Sequence, residues 1–225
     1  MQFKENLIFL FLFTKKEKKI FSEINYKLFL FFIGVFSLLT FNVNSLPTIN
    51  EKIFPKEITY IKPTITEDAV VYLESLLNII SNAKVLEFGS GGSTIWLAQY
   101  TNQVVSVEHN LEWFEIVTFS LEKKNLRDHV DYYLLPMPYA SICDRFPDEY
   151  FDLIIVDGRN RMRCLNAAIR VLKRGGTILL DDAQRPYYSY ALRKLKRWNR
   201  EKTYQKNPDP IFNDEMRHTY WWIKP

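Results

Sequence analysis

The stretch Val85-Leu86-Glu87-Phe88-Gly89-Ser90-Gly91-Gly92-Ser93 constrains this chain more than any other. An apolar run interrupted only by Glu87 reads as a short buried strand. The glycines after it read as a tight turn, and Ser93 as the cap of a following helix. Gly89 and Gly91 permit positive φ and remove side chains where a ligand must lie against backbone. The spacing is not G-x-G-x-x-G, the pattern that seats a dinucleotide pyrophosphate. Glu87 precedes the first glycine by two residues. There its carboxylate suits the ammonium of a bound amino acid and repels a pyrophosphate. Glu108 follows Gly89 by nineteen residues and closes the next apolar run. An acid at that distance can accept hydrogen bonds from both hydroxyls of a ribose.

From residue 84 onward, strand and helix patterns alternate. Strands are expected at Lys84–Phe88, Val104–Glu108, Val130–Leu135, Phe151–Val156 and Thr177–Leu180. Helices are expected at Ser93–Tyr100, Leu111–Lys124, Arg161–Lys173 (closed by Gly175-Gly176) and Pro186–Asn199. Lys202–Gln205 and Arg217–Ile223 read as two last strands. A preceding helix begins near Thr64–Thr66, where Thr64 and Glu67 have capping-box spacing. Near-continuous apolar strands between helices imply an α/β fold, with a mostly parallel sheet covered on both faces. In such sheets a ligand sits beyond the carboxyl ends of the strands. Gly89, Glu108, Asp157 and Asp181 all follow strand ends, so they are expected to share one site.

The N-terminus has a different character. Leu7 to Phe13 is apolar; Lys15, Lys16, Lys18 and Lys19 follow; Leu28 to Phe41 is almost wholly apolar. Residues 1–43 read as a signal peptide or membrane anchor, with a cleavage context at Val43-Asn44-Ser45. The apolar run is short of the roughly 20 residues of a spanning helix. A hairpin, an interfacial helix and a cytosolic chain remain alternatives, and the orientation is open. Membrane association is expected through residues 28–43; the alternative localisation is cytoplasmic or exported. Residues 44–63, with Pro47, Pro55 and Pro63, read as a linker, and residues 64–225 as the globular domain. The net charge of +4 demands no polyanionic partner. Nucleic acid is therefore not the expected ligand, and the basic run around Arg193, Lys194, Lys196 and Arg197 reads as a solvated helix face. Cys143 and Cys164 have no metal-ligand spacing and read as free thiols.

Residues 64–225 resemble the class I S-adenosylmethionine-dependent methyltransferases. The resemblance rests on Val85–Gly91 as the family's first motif and Val104–Glu108 as its acidic second strand. Phe151–Asp157 matches its fourth strand, and Gly175–Leu180 the lead into its fifth. It implies a Rossmann-like, seven-stranded, mostly parallel sheet with an antiparallel last strand. It also implies transfer of a methyl group, with O-methylation of a small molecule or glycan as the expected reaction. Cofactor contacts are expected from Glu87, Gly89, Ser90, Gly91, Glu108 and Asp157, with residues 136–138 near the adenine. Asp157 and His109 are the candidate bases. Asp157, Asp181 and Asp182 are similar in placement to the Mg²⁺ ligands of the metal-dependent catechol and caffeoyl-coenzyme A O-methyltransferases. Asp182 departs from the asparagine of that pattern, and Gly158, Arg159 and Asn160 stand where its lysine is found. Arg159, Arg161 and Arg163 suit an acidic acceptor. The readings to be separated from this one are an NAD-dependent oxidoreductase and a membrane-tethered binding module without activity.

Overall fold

The strands form where β-branched and aromatic residues cluster, and the sheet's two faces follow from their alternation. In the computed structural model, which describes residues 57–206 and 216–225, seven strands make one sheet. They are β1 (Val85–Phe88), β2 (Val104–Glu108), β3 (Val130–Leu134), β4 (Phe151–Val156), β5 (Leu172–Leu180), β6 (Asn199–Lys206) and β7 (Met216–Ile223). The helices are α1 (Glu67–Ile79), α2 (Gly92–Tyr100), α3 (Leu111–Lys123), α4 (Arg161–Val171) and α5 (Ser189–Lys194). The strand order is β3-β2-β1-β4-β5-β7-β6. All pairs are parallel except those that β7 makes with β5 and β6. The anticipated Rossmann-like, seven-stranded sheet is therefore present.

Side-chain parity divides the core. Leu86, Phe88, Ile154, Val156, Ile178 and Leu180 face one side, where α4 and α5 cover them. Val85, Leu153, Ile155 and Leu179 face the other, under α1, α2 and α3. Such a sheet has no polar face, so β1 and β4 are apolar at nearly every position. Glu87 is the exception on β1, and it lies on the α2 side. β1 is hydrogen-bonded to both β2 and β4, and chain direction around the sheet reverses between β1 and β4. That reversal opens the crevice beyond their carboxyl ends.

Several local expectations are corrected. α2 starts at Gly92 with Gly91 as its cap residue, because the Ser93 hydroxyl turns down to Glu87 instead of capping. α1 is preceded by Thr66, not Thr64, and no side chain caps it. Gly175-Gly176 do not close a helix. α4 ends at Val171 and β5 begins at once, and the pairing of β4 with β5 slips between Phe151 and Leu153. The glycines lie in that slip, with Gly175 at φ +73 and hydrogen-bonded to the carbonyl of Lys224. The expected helix over 186–199 is only a 3₁₀ turn at Pro186–Tyr188 and the six-residue α5. Asn199 and Arg200 belong to β6, whose mostly exposed, charged residues form the sheet's edge. Cys143 and Cys164 are buried and free.

The apolar segments at 7–13 and 28–43, and most of the 44–63 linker, lie outside the described residues. Among the described residues no helix is long and apolar enough to cross a membrane.

Candidate active site

The turns after β1 and β4 are stitched together. The amides of Asp157 and Gly158 both donate to the carbonyl of Phe88, at 3.1 and 2.6 Å. Gly89, at φ +92, donates to the carbonyl of Val107 and lies against Gly158. A Cβ on Gly89 would stand 2.5 Å from the Gly158 Cα. Gly89 is thus required twice, by its backbone angle and by the neighbouring strand end. Gly91 is different. Its φ of 168 is ordinary extended backbone, so the expected positive φ is absent there. Gly92 has its own constraint, since a Cβ would stand 2.1 Å from the carbonyl of Tyr60. The segment before α1 therefore lies across the start of α2.

Ser90 ties the turn to three elements. Its amide and hydroxyl both donate to Glu108 Oε2, at 3.3 and 3.2 Å. Its hydroxyl also meets the Tyr132 hydroxyl at 2.5 Å, and its carbonyl accepts from Trp113 Nε1 at 2.7 Å. Glu108 is almost fully buried, yet it borders the cavity. Its Oε1 accepts from the amides of His109 and Asn110 at 2.7 and 2.9 Å, and His109 Nδ1 lies 2.8 Å away. Oε2 carries only the two long bonds from Ser90, so it retains capacity toward a ligand.

Glu87 sits beneath the loop. It is fully buried, it is not among the cavity's lining residues, and it accepts from the hydroxyls of Ser93, Thr94 and Ser106 at 2.5 to 2.6 Å. Burial raises its pKa to about 6, against the lowering effect of the three hydroxyls. Glu87 therefore lies behind Ser93, outside the cavity's lining.

Asp157, Asp181 and Asp182 do converge, as their strand-end positions imply. What they converge on is Arg161, the first residue of α4. Its Nη2 lies 3.0 Å from Asp157 Oδ1 and 3.3 Å from Asp182 Oδ2, and its Nη1 lies 3.8 Å from Asp181 Oδ2. Nε donates to the carbonyl of Gly158 at 2.9 Å, Nη1 donates to the carbonyl of Asp181, and the Tyr188 ring covers the guanidinium. Among the described residues, no group of three or more His, Cys, Asp or Glu side chains is arranged to hold a metal ion. The expected Mg²⁺ ligands are thus adjacent, but the set as it stands does not fit a divalent cation. Burial raises the pKa of Asp157 well above the usual carboxylate range. Asp181 adds to the rise and Arg161 opposes it.

The lining residues from both strand-end turns, α3 and the 57–64 segment enclose a cavity of about 1240 Å³. That exceeds the roughly 300–1,000 Å³ typical of a single small-molecule pocket. Glu108, His109 and Asp157 all border it. Lys62 and Arg159, both exposed, add two cations at its wall. Arg163 does not line it, and neither do residues 136–138, where Tyr139 stands instead. The Tyr139 hydroxyl holds the Arg159 backbone at both its amide and its carbonyl. Sequence reasoning missed Tyr132, Trp113, Tyr139 and the 57–62 segment, because their roles arise from contacts between elements distant in the chain. It assigned Arg161 to an acceptor, since nothing local reveals that this arginine turns inward.

A sequence-family profile described as a methyltransferase domain matches residues 86–183. No curated protein matches the chain. Among solved structures, the chain is similar to an O-methyltransferase from Bacillus cereus in complex with S-adenosylhomocysteine. That match has a TM-score of 0.58 and 19% identity, over 71% of this chain and 82% of the other. It is similar to TomG of Streptomyces achromogenes, an O-methyltransferase of tomaymycin synthesis in complex with S-adenosylmethionine (0.58, 15%, 72% and 82%). It is also similar to the tRNA (m1A58) methyltransferase TrmI of Aquifex aeolicus (0.54, 19%, 74% and 71%). At these identities the likeness is one of fold, and it spans O-methyltransferases and a tRNA methyltransferase alike.

Proposed function

We propose that this chain, whose residues 86–183 match a methyltransferase-domain profile and whose fold is that of S-adenosylmethionine-dependent O-methyltransferases, methylates an oxygen of a small acidic acceptor. The observation that carries the reading is Glu108. It is a buried carboxylate at the end of β2, fixed through one oxygen and leaving the other toward a cavity floored by the Gly89–Ser90 turn. A ribose diol supplies shorter donors to an oxygen that otherwise holds only the two long bonds from Ser90. Gly89 and Gly158 leave bare backbone beside it, so the residues present fit S-adenosylmethionine.

Bound there, that cofactor supplies a methyl group already activated by the sulfonium. The protein's remaining work is alignment and removal of the acceptor's proton. Asp157 is the favoured base. Its Oδ1 is held by Arg161, and its side chain borders the cavity. His109, oriented by Glu108 through Nδ1, is the alternative. Lys62 and Arg159 at the wall favour an acceptor bearing a carboxylate or phosphate beside its hydroxyl, which includes uronate-containing glycans as well as small acids.

The test is transfer of labelled methyl from S-adenosylmethionine to a panel of hydroxylated acids and their neutral counterparts. Preference for the acids, lost in Arg159→Ala, is expected. Equal or better use of neutral acceptors would reject the acidic class. Asp157→Asn is expected to lower kcat by roughly 100-fold or more with little change in cofactor affinity. If His109→Gln instead gives that loss and Asp157→Asn does not, the base is His109.

A further inference from the structure

The three carboxylates that end β4 and β5 are matched in charge by the protein itself. Asp157, Asp181 and Asp182 are each within 4 Å of Arg161. Asp182 also faces Arg185 at 2.6 Å and Arg217 at 3.9 Å, and Asp181 accepts from the Thr219 hydroxyl at 2.8 Å. Three carboxylates therefore meet three guanidiniums. Arg161 is the one at the centre, 8% exposed, and it alone touches all three acids. Asn160, in the left-handed conformation just before α4, turns the chain so that Arg161 points inward rather than out along the helix start.

Hard divalent cations need several carboxylate and carbonyl oxygens converging on one open point. Here such oxygens do converge, from Asp157, Asp181, Asp182 and the carbonyls of Gly158 and Asp181, but the point is filled by a guanidinium. A second cation beside it would meet a positive charge at contact distance. Displacing Arg161 would leave a buried charge unpaired, which is strongly unfavourable.

We infer that Arg161 is the resident cation of this site and takes the place that a divalent metal would otherwise hold. Its fork binds Asp157 on the cavity side and the Asp181–Asp182 pair behind, so it screens three neighbouring carboxylates and fixes the orientation of Asp157. It acts as a positioning residue. Its donors are turned to the acids and to the carbonyls of Gly158 and Asp181, and Asp157 borders the cavity beside it. The inference depends on the methyltransferase reading only for what Asp157 then does; the cation assignment is independent of it.

The experiment is a titration of the full chain with Mn²⁺ and Mg²⁺, followed by calorimetry and by the Mn²⁺ resonance signal. S-adenosylhomocysteine binding is measured on the same samples. Wild-type protein is expected to show no saturable Mn²⁺ binding at this site. Arg161→Met is expected to gain a Mn²⁺ site that Asp157→Asn removes. Arg161→Lys, which keeps the charge, is expected to remain silent to Mn²⁺ and to retain its affinity for S-adenosylhomocysteine. Saturable Mn²⁺ binding by wild type that is lost in Asp157→Asn would overturn the inference. So would a folded Arg161→Met protein that gains no Mn²⁺ site. If Arg161→Met does not fold, the wild-type and Arg161→Lys titrations decide. Failure to bind S-adenosylhomocysteine with Mn²⁺ silence intact would sink the methyltransferase reading and leave Arg161 as the resident cation.

Discussion

At the residue scale, two glutamates twenty-one positions apart in sequence have different surroundings. Glu87 is enclosed by hydroxyls, while Glu108 reaches the cavity. The folded-state pKa of Glu87 is raised to about 6 from 4.5. A raised carboxylate favours folding while protonated, so this contribution is whole below pH 4.5 and lost as pH climbs through 6. The difference is about 2 kcal/mol. Glu87→Gln keeps the shape and cannot ionise. Relative to wild type, it should therefore gain about 2 kcal/mol between pH 4.5 and pH 7.5 in paired denaturant unfolding curves. Parallel pH profiles for the two proteins would show that Glu87 ionises freely in the fold. Sequence placed both acids correctly at strand positions. It could not separate a carboxylate that meets a ligand from one that knits a turn, because the hydroxyls of Ser93, Thr94 and Ser106 that satisfy Glu87 are ordinary in composition.

At the element scale, the β1 and β4 turns depend on a contact between two glycines. Gly89→Ala brings both a positive φ and a Cβ driven into the Gly158 backbone. Gly175, at φ +73, has nothing within 4 Å of the same added atom. Gly175→Ala should thus cost about 1 kcal/mol from backbone alone. Gly89→Ala should cost about 3 kcal/mol or more, with the excess due to overpacking. Urea unfolding of the two variants measures that difference, and equal losses would remove the steric argument. The strands β1, β2 and β4 were legible to within a residue, because an apolar run buried on both faces leaves little ambiguity. The helices α2 and α3 were equally legible, but the later two were not. Gly175-Gly176 resembles a helix stop, yet long-range pairing with Lys224 draws both residues into a strand. The basic stretch after Tyr188 has helical periodicity, but β6 takes its end to complete the sheet's edge.

At the scale of the whole molecule, residues 54–225 form one compact unit. They should unfold in a single cooperative transition when produced alone. If residues 28–43 anchor the chain, the full-length protein will float with lipid vesicles and the 54–225 fragment will stay behind. Flotation of both, or of neither, would reject that anchor. The sequence located the site by a rule of whole folds rather than of residues. Ligands gather where strand order reverses, and Gly89, Glu108 and Asp157 all stand beside the reversal between β1 and β4. Arg161 was hidden from that rule, since only the assembled ends of β4 and β5 show where its side chain goes. Whether the crevice is built for S-adenosylmethionine is decided by titration calorimetry of the folded chain with S-adenosylhomocysteine. One equivalent should bind, Glu108→Ala should weaken it by roughly 100-fold without unfolding the protein, and NADH should not compete. A folded protein that ignores S-adenosylhomocysteine, or binds NADH in its place, would rule out a crevice built for S-adenosylmethionine.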